Sequence, residues 1–276
     1  MRSVSYLLSG LLGVWLTLAA ATAAQADART TVLVDVLKLQ EAAGILALEG
    51  IASSEDLNRD MLEGQGGAGW ALQVQQIYAP DRMVELVRAE LEAALKGDAL
   101  EEVITFFAGS RGRQIIDLEN SARRAIQDPE VEEAARARYR ALKGTDDPRL
   151  ALITSYIESG DMIERNVTSA LNSNYQFLRG LVEGGAFEMS EEEMLSDAAG
   201  DLEESTKDTA EWLYGYLLLA YHPLQDADLE AYIAFANTKA GQALNRALFD
   251  GFGKAYEDIS YALGRAVSLN MTAEEL

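Results

Sequence analysis

Four stretches of this chain carry residue types from which sites are built. Gly64-Gln65-Gly66-Gly67-Ala68-Gly69 has the G-x-G-x-x-G spacing that lets a backbone approach a pyrophosphate at a helix start. That chemistry needs a buried strand just before it. Residues 58–63 are polar, so the run reads as a flexible connection. Ala108-Gly109-Ser110-Arg111-Gly112 has the outline of a nucleophile elbow with alanine in first place. An elbow lies between a strand and a helix and needs a histidine base. The segment before Ser110 reads as helix, and His222 is the only histidine, so a helix corner with Ser110 near the cap is preferred. One histidine without cysteine cannot build a usual zinc site unless carboxylates supply the rest. His222, between Tyr221 and Pro223, reads as partly buried or near helix-end carbonyls.

Asp226-Ala227-Asp228-Leu229-Glu230 alternates like a calcium loop. An EF-hand needs glycine at its sixth place and glutamate at its twelfth, and those places hold Ala231 and Asn237. Helix capping explains Asp226 and Asp228 better. Glu191, Glu192, Glu193, Asp197, Asp201, Glu203, Glu204, Asp208 and Glu211 form the densest acidic set, read as one long helix. Its simplest role is a solvated face, with a weak divalent-cation surface as the alternative. Spacing alone nominates no acid–base pair. No catalytic residue, cofactor-binding residue or metal ligand is assigned, and no cofactor is implied.

These stretches sit in a chain of 276 residues with formal net charge −22. So acidic a surface repels nucleic acid and anionic membranes, which are held by clustered Lys and Arg. Residues 1–26 read as a secretory signal: Arg2, an apolar run over 7–21, then the small-x-small site Ala24-Gln25-Ala26. A transmembrane anchor is the competing reading, because a span needs roughly 20 apolar residues. The A-x-A ending and Asp27-Ala28-Arg29 after it favour cleavage, giving a periplasmic or secreted protein with no membrane span after signal removal. With no cysteine, the core must hold without disulfides.

The rest reads as helices, and the expected fold is all-α. Apolar residues recur at helical spacing over 30–48, 81–96, 112–126, 150–181 and 241–267. Ser54 is a candidate cap. Asp128-Pro129 starts a helix, Ser190 with Glu193 makes a capping box, and Thr238 caps the last helix. No convincing period-two strand exists. Residues 143–148 are the best internal boundary. They divide a first unit (27–143) from a second (148–267), followed by a tail (268–276) expected to fray.

The two units share a corner. Leu100, Glu101, Ile104, Phe106 and Gly112 align without a gap on Leu229, Glu230, Ile233, Phe235 and Gly241. Trp70…Tyr78-Ala79-Pro80 and Trp212…Tyr221-His222-Pro223 form a weaker second echo. Glycine in the first turn of a helix costs up to about 1 kcal/mol of propensity, so Gly112 and Gly241 point to close packing. The pattern Leu100, Ile104, Phe106, Phe107, Ser110, Gly112, with Tyr78 and Tyr221 upstream, resembles the family catalogued as domain of unknown function 2059. Lys239 stands in the echo where the first copy has Ser110. The resemblance covers about 60 residues around each copy. It implies an exported bacterial helical fold, and no activity, ligand or catalytic residue.

The expectation is a multi-helix array of two pseudo-repeated units, acting as a non-enzymatic binding or interaction protein. Its partner would be a protein or a small apolar ligand, held in a groove near Trp70, Tyr78, Phe106, Phe107, Trp212, Tyr221 and Phe235. A structural or assembly protein of the envelope is the alternative, and a carboxylate-dependent enzyme the third. An open aromatic groove would favour binding. Fully packed aromatics would favour structure. Facing carboxylates in a cleft would favour catalysis.

Overall fold

A computed structural model describes residues 28–273; the signal read at 1–26 and the last three residues lie outside them. Every regular element among the described residues is an α-helix. Helix α1 (28–36) gives way at Leu37-Lys38, where Lys38 takes a left-handed conformation (φ 49°), and α2 (Leu39–Met61) resumes. The stripe read over 30–48 therefore breaks: Leu33, Leu37 and Ile45 are buried, but Leu48 is exposed. Ser54 lies inside α2 rather than capping a helix, and its hydroxyl donates to the Gly50 carbonyl at 2.8 Å. The glycine run makes the turn into α3 (Gly67–Ile77), with Gly64 and Gly67 at positive φ. Pro80 opens α4 (Pro80–Ala94), at a position where its missing N–H leaves nothing unpaired.

Next come α5 (Asp98–Ala108), α6 (Ser110–Ala125), α7 (Pro129–Leu142) and α8 (Pro148–Ser159). Asp128 and Asp147 accept from Glu130 N–H and Leu150 N–H as N-caps of α7 and α8. The stripe read as unbroken over 150–181 turns at Gly160-Asp161, where Asp161 is left-handed (φ 50°), and continues as α9 (Met162–Gly184). The capping box of Ser190 and Glu193 opens α10 (Glu191–Ala199) as expected, but the long acidic helix divides at Gly200. Its remainder is α11 (Leu202–Ala220), followed by α12 (Asp226–Ala236) and α13 (Lys239–Ala273). Thr238 accepts from Gly241 N–H at 3.0 Å, capping α13. That helix continues through residues 268–273, read as a fraying tail, because Ser268 is buried and Asn270 donates to Gln73 of α3 at 3.0 Å.

Helix α13 is the spine: α9, α4, α3, α5, α12 and α2 all pack on it. It approaches α9 at backbone contact. A Cβ on Gly264 would lie 2.2 Å from the Phe177 carbonyl oxygen, and one on Gly180 would lie 2.3 Å from that of Tyr261. The main core draws on both sides of the 143–148 turn, joining Val87, Leu91, Val103 and Ile115 to Ile153, Leu217, Leu229 and Ile233. A second cluster gathers Ala43, Trp70, Val74, Tyr78 and Met83 against Ile259, Leu263 and Val267 of α13.

The two corners are built alike. A Cβ on Gly112 would fall 2.4 Å from the Phe106 carbonyl oxygen and 2.5 Å from Phe107 Cα. A Cβ on Gly241 would fall 2.2 Å from the Phe235 carbonyl oxygen and 2.8 Å from Ala236 Cα. Each glycine thus lets its helix start against the end of the one before it. The corners also face each other: the Phe106 and Phe235 rings stack at 4.1 Å and 13°. The weaker echo does not occupy matching places. Trp70 lies in the first turn of α3 and Trp212 in the second half of α11, and α4 separates Pro80 from its corner helix whereas Pro223 nearly abuts α12.

Candidate functional site

The residues expected to line an aromatic groove are mostly packed. Trp70 and Tyr78 belong to the second cluster, Tyr78 against Gly50 of α2. The Trp70 indole N–H is buried without an acceptor. Phe107, Tyr221 and Phe235 are buried in the main core, and Phe106 is partly buried beside them. Trp212 is half-buried, covered by the Arg123 guanidinium at 4.9 Å and stacked on Tyr216 at 5.2 Å. So the structure places the Trp70 pair and the corner residues in separate clusters, and among the described residues these rings are mostly packed rather than lining one open groove. The rings are consumed in filling the seam between helices.

That seam holds a polar centre that the sequence did not single out. Glu119 of α6 stands on the inner register of its helix, one turn from Ile115 and three residues before buried Ala122. Its Oε1 accepts from the Tyr221 hydroxyl at 2.6 Å and from Tyr232 at 3.4 Å, and Tyr156 donates to the Tyr232 hydroxyl at 2.8 Å. Tyr216 donates to the Glu119 backbone carbonyl at 3.1 Å. Among the described residues no cation bonds the carboxyl. Arg123, one turn on, is held by Glu49 of α2 at 2.8 and 2.9 Å. Burial raises the Glu119 carboxyl to about 7, and the two tyrosine bonds hold it from rising further. Burial and the Glu119 charge push the Tyr156, Tyr221 and Tyr232 hydroxyls up as well. The signal that could have found this site is a glutamate on an apolar helical stripe.

An open concavity lies on the other side of the second cluster. Between α3, α4 and the later part of α13 runs a groove of about 680 Å³. Ile77, Met83, Leu86, Ile259, Ala262 and Ala266 form its floor. Arg82, Asp258, Tyr261 and Arg265 stand at its walls, with Gln73 and Gln76 at the α3 end. Arg82 pairs with Asp258 at 2.7 Å, and Arg265 donates to the Glu183 carbonyl. Helix α13 presents three alanines to it, at 255, 262 and 266.

No family model, curated protein or solved structure matches this chain.

The other stretches with site-like residues lie on helices and in turns. The glycine run is entered from helix α2, not from a strand. Ser110 follows helix α5, so no elbow forms, and exposed His222 lies in the turn after α11. Asp226 and Asp228 do not cap α12. They sit in its first turn and pair with Arg149 at 2.8 Å and Arg111 at 2.7 Å. In the acidic set, Asp208 and Glu211 pair with Arg136 and Arg140 of α7. Among the described residues no three acidic, histidine or cysteine side chains converge to hold a metal ion, and no helix is long and apolar enough to cross a membrane. The cavity beside Tyr156 and Tyr232, about 50 Å³, has room for water but little more.

Proposed function

We propose that this chain is an exported, non-enzymatic binding protein that holds an apolar ligand in the groove between α3, α4 and α13. The observation that carries the reading is the groove itself, an apolar floor within the volume range of ligand sites. The composition of residues 1–26 supports export. The alike corners support two copies of one unit as the scaffold, and the resemblance to the domain of unknown function 2059 adds architecture without chemistry. Catalysis is disfavoured because the enclosed carboxyl of Glu119 faces hydroxyls rather than a second carboxylate in a cleft.

The test is titration with the neutral apolar fluorophore N-phenyl-1-naphthylamine. A saturable rise in fluorescence is expected, lost in Ala262→Phe, which fills the floor. Non-saturable binding, or full binding by the filled variant, overturns the assignment. The packed rings of Phe107, Tyr221 and Phe235 favour a second reading, a structural protein of the envelope. It predicts no dye binding at all.

A further inference from the structure

We infer that the occupant of this groove is a free, single-chain amphipathic carboxylate, its acid at Arg265 and its tail laid along α13. The inference rests on the groove being a binding site. Three observations lead to it. The first is shape: the floor follows one helix from Ala255 to Leu269, about 21 Å at 1.5 Å per residue. A strip of that form fits one extended chain better than a ring system or a double-tailed lipid.

The second is charge. The formal charge of the chain is −22, yet the charged side chains lining this groove are two arginines and one aspartate. The polar groove between α9 and α13, about 540 Å³, sets five carboxylates against Arg165 and Lys254 and repels an acid. The concavity beside Tyr139 and Leu202 balances two lysines with two glutamates. Of these three concavities, the α3–α4–α13 groove is the one whose lining charge attracts an anion.

The third is donor supply. A guanidinium has five N–H donors in a planar fork that matches a carboxylate. Arg265 commits Nη1 to the Glu183 carbonyl. The Glu183 carboxylate takes its hydrogen bonds from Arg179 at 2.7 Å and from the Tyr261 hydroxyl, and reaches Arg265 through charge alone. Asp258 is likewise spent on Arg82. Arg265 keeps donors for an incoming acid.

Calorimetric titration of the purified protein with decanoate and with decan-1-ol, both below their aggregation limits, tests this. Decanoate is expected to bind about fivefold to tenfold more tightly than the alcohol, the scale of one charge-assisted pair at a half-open site. Arg265→Gln should bring decanoate down to the level of the alcohol and leave the alcohol unchanged. Arg265→Met, which keeps the apolar stem of the side chain, carries the same comparison if Arg265→Gln fails to fold by circular dichroism. Equal affinity for acid and alcohol, with both lost in Ala262→Phe, overturns the carboxylate inference and leaves the groove reading standing. Failure of both probes and of the neutral dye overturns the groove reading itself.

Discussion

Replacing Glu119 with glutamine should stabilise the protein above neutral pH and do little in acid. The carboxyl has an ordinary value of 4.5 and is raised to about 7 by burial. Below the lower value the folded and unfolded chains both hold the proton, and nothing is lost. As pH rises through that value the unfolded chain releases its proton, while the folded chain keeps it until about 7. Stability therefore falls across this window, the reverse of ordinary acid denaturation. At about 1.36 kcal/mol per pKa unit the full span is worth about 3 kcal/mol. The residue as a whole retains some accessible surface although its carboxyl is enclosed, so this figure is a ceiling. Glutamine keeps an oxygen for Tyr221 and Tyr232 and has nothing to ionise. Its advantage should grow by about 2 kcal/mol between about pH 5 and about pH 8, or about 4–8 °C in melting temperature for a chain of this size. Thermal unfolding followed by circular dichroism at those two pH values measures it. Equal shifts at both would refute the claim that the carboxyl ionises in a buried site. Destabilisation at the higher value would show that the tyrosines more than replace water around the anion.

Three further perturbations follow from the same geometry. Tyr221→Phe removes the 2.6 Å donor to Glu119 and should cost about 1–3 kcal/mol at about pH 8 but less at about pH 5, where the carboxyl is neutral; a pH-independent loss in chemical denaturation would contradict this. Gly112→Ala and Gly241→Ala push a methyl into backbone atoms at 2.4 and 2.2 Å and should each cost about 2–4 kcal/mol, whereas Gly44→Ala, with nothing near its Cβ, should stabilise α2 by about 0.5–1 kcal/mol; urea midpoints rank the three. A double-mutant cycle between Phe106→Leu and Phe235→Leu should give a coupling of about 0.5–1.5 kcal/mol, and additivity would show that the stacked rings act separately.

The helices were legible because their signals are local. Apolar spacing, Pro129 at a first-turn position, the Ser190–Glu193 box and Thr238 all mark ends that the structure keeps. Breaks at Lys38, Asp161 and Gly200 were missed, since a continuous apolar stripe survives a one-residue turn and only the left-handed or otherwise unusual backbone angle reports it. Gly112 and Gly241 were read as close-packing positions from their place in a first turn, and their blocked Cβ positions have that cause. The aromatic residues were legible as important but not as to what they do, because burial depends on which helices meet. Glu119 was hidden for the opposite reason. A single charge on an inner face carries no motif, and its partners Tyr156, Tyr221 and Tyr232 come from parts of the chain far apart in sequence. The groove was invisible because small side chains leave space only where neighbouring helices fail to fill it, and Ala255, Ala262 and Ala266 read as ordinary helix formers.

The stacked corners and the raised carboxyl are two faces of one arrangement. Phe106 lies against Tyr232 at 5.9 Å as well as on Phe235, and Tyr232 carries one of the hydroxyls that reach Glu119. Bringing the α5–α6 corner against the α12–α13 corner therefore buries the rings and strips water from the acid in the same step. If so, loosening the seam should restore water to Glu119 and let its pKa relax toward 4.5. Phe106→Ala tests the connection without touching the polar groups. It should lower overall stability by about 3 kcal/mol through lost packing. It should also flatten the fall in stability between about pH 5 and about pH 7, because a rehydrated carboxyl titrates alike in both states. A variant that loses stability while keeping the full pH slope would show that the acid is desolvated by its tyrosines alone, and that the seam serves only to hold the two corners together.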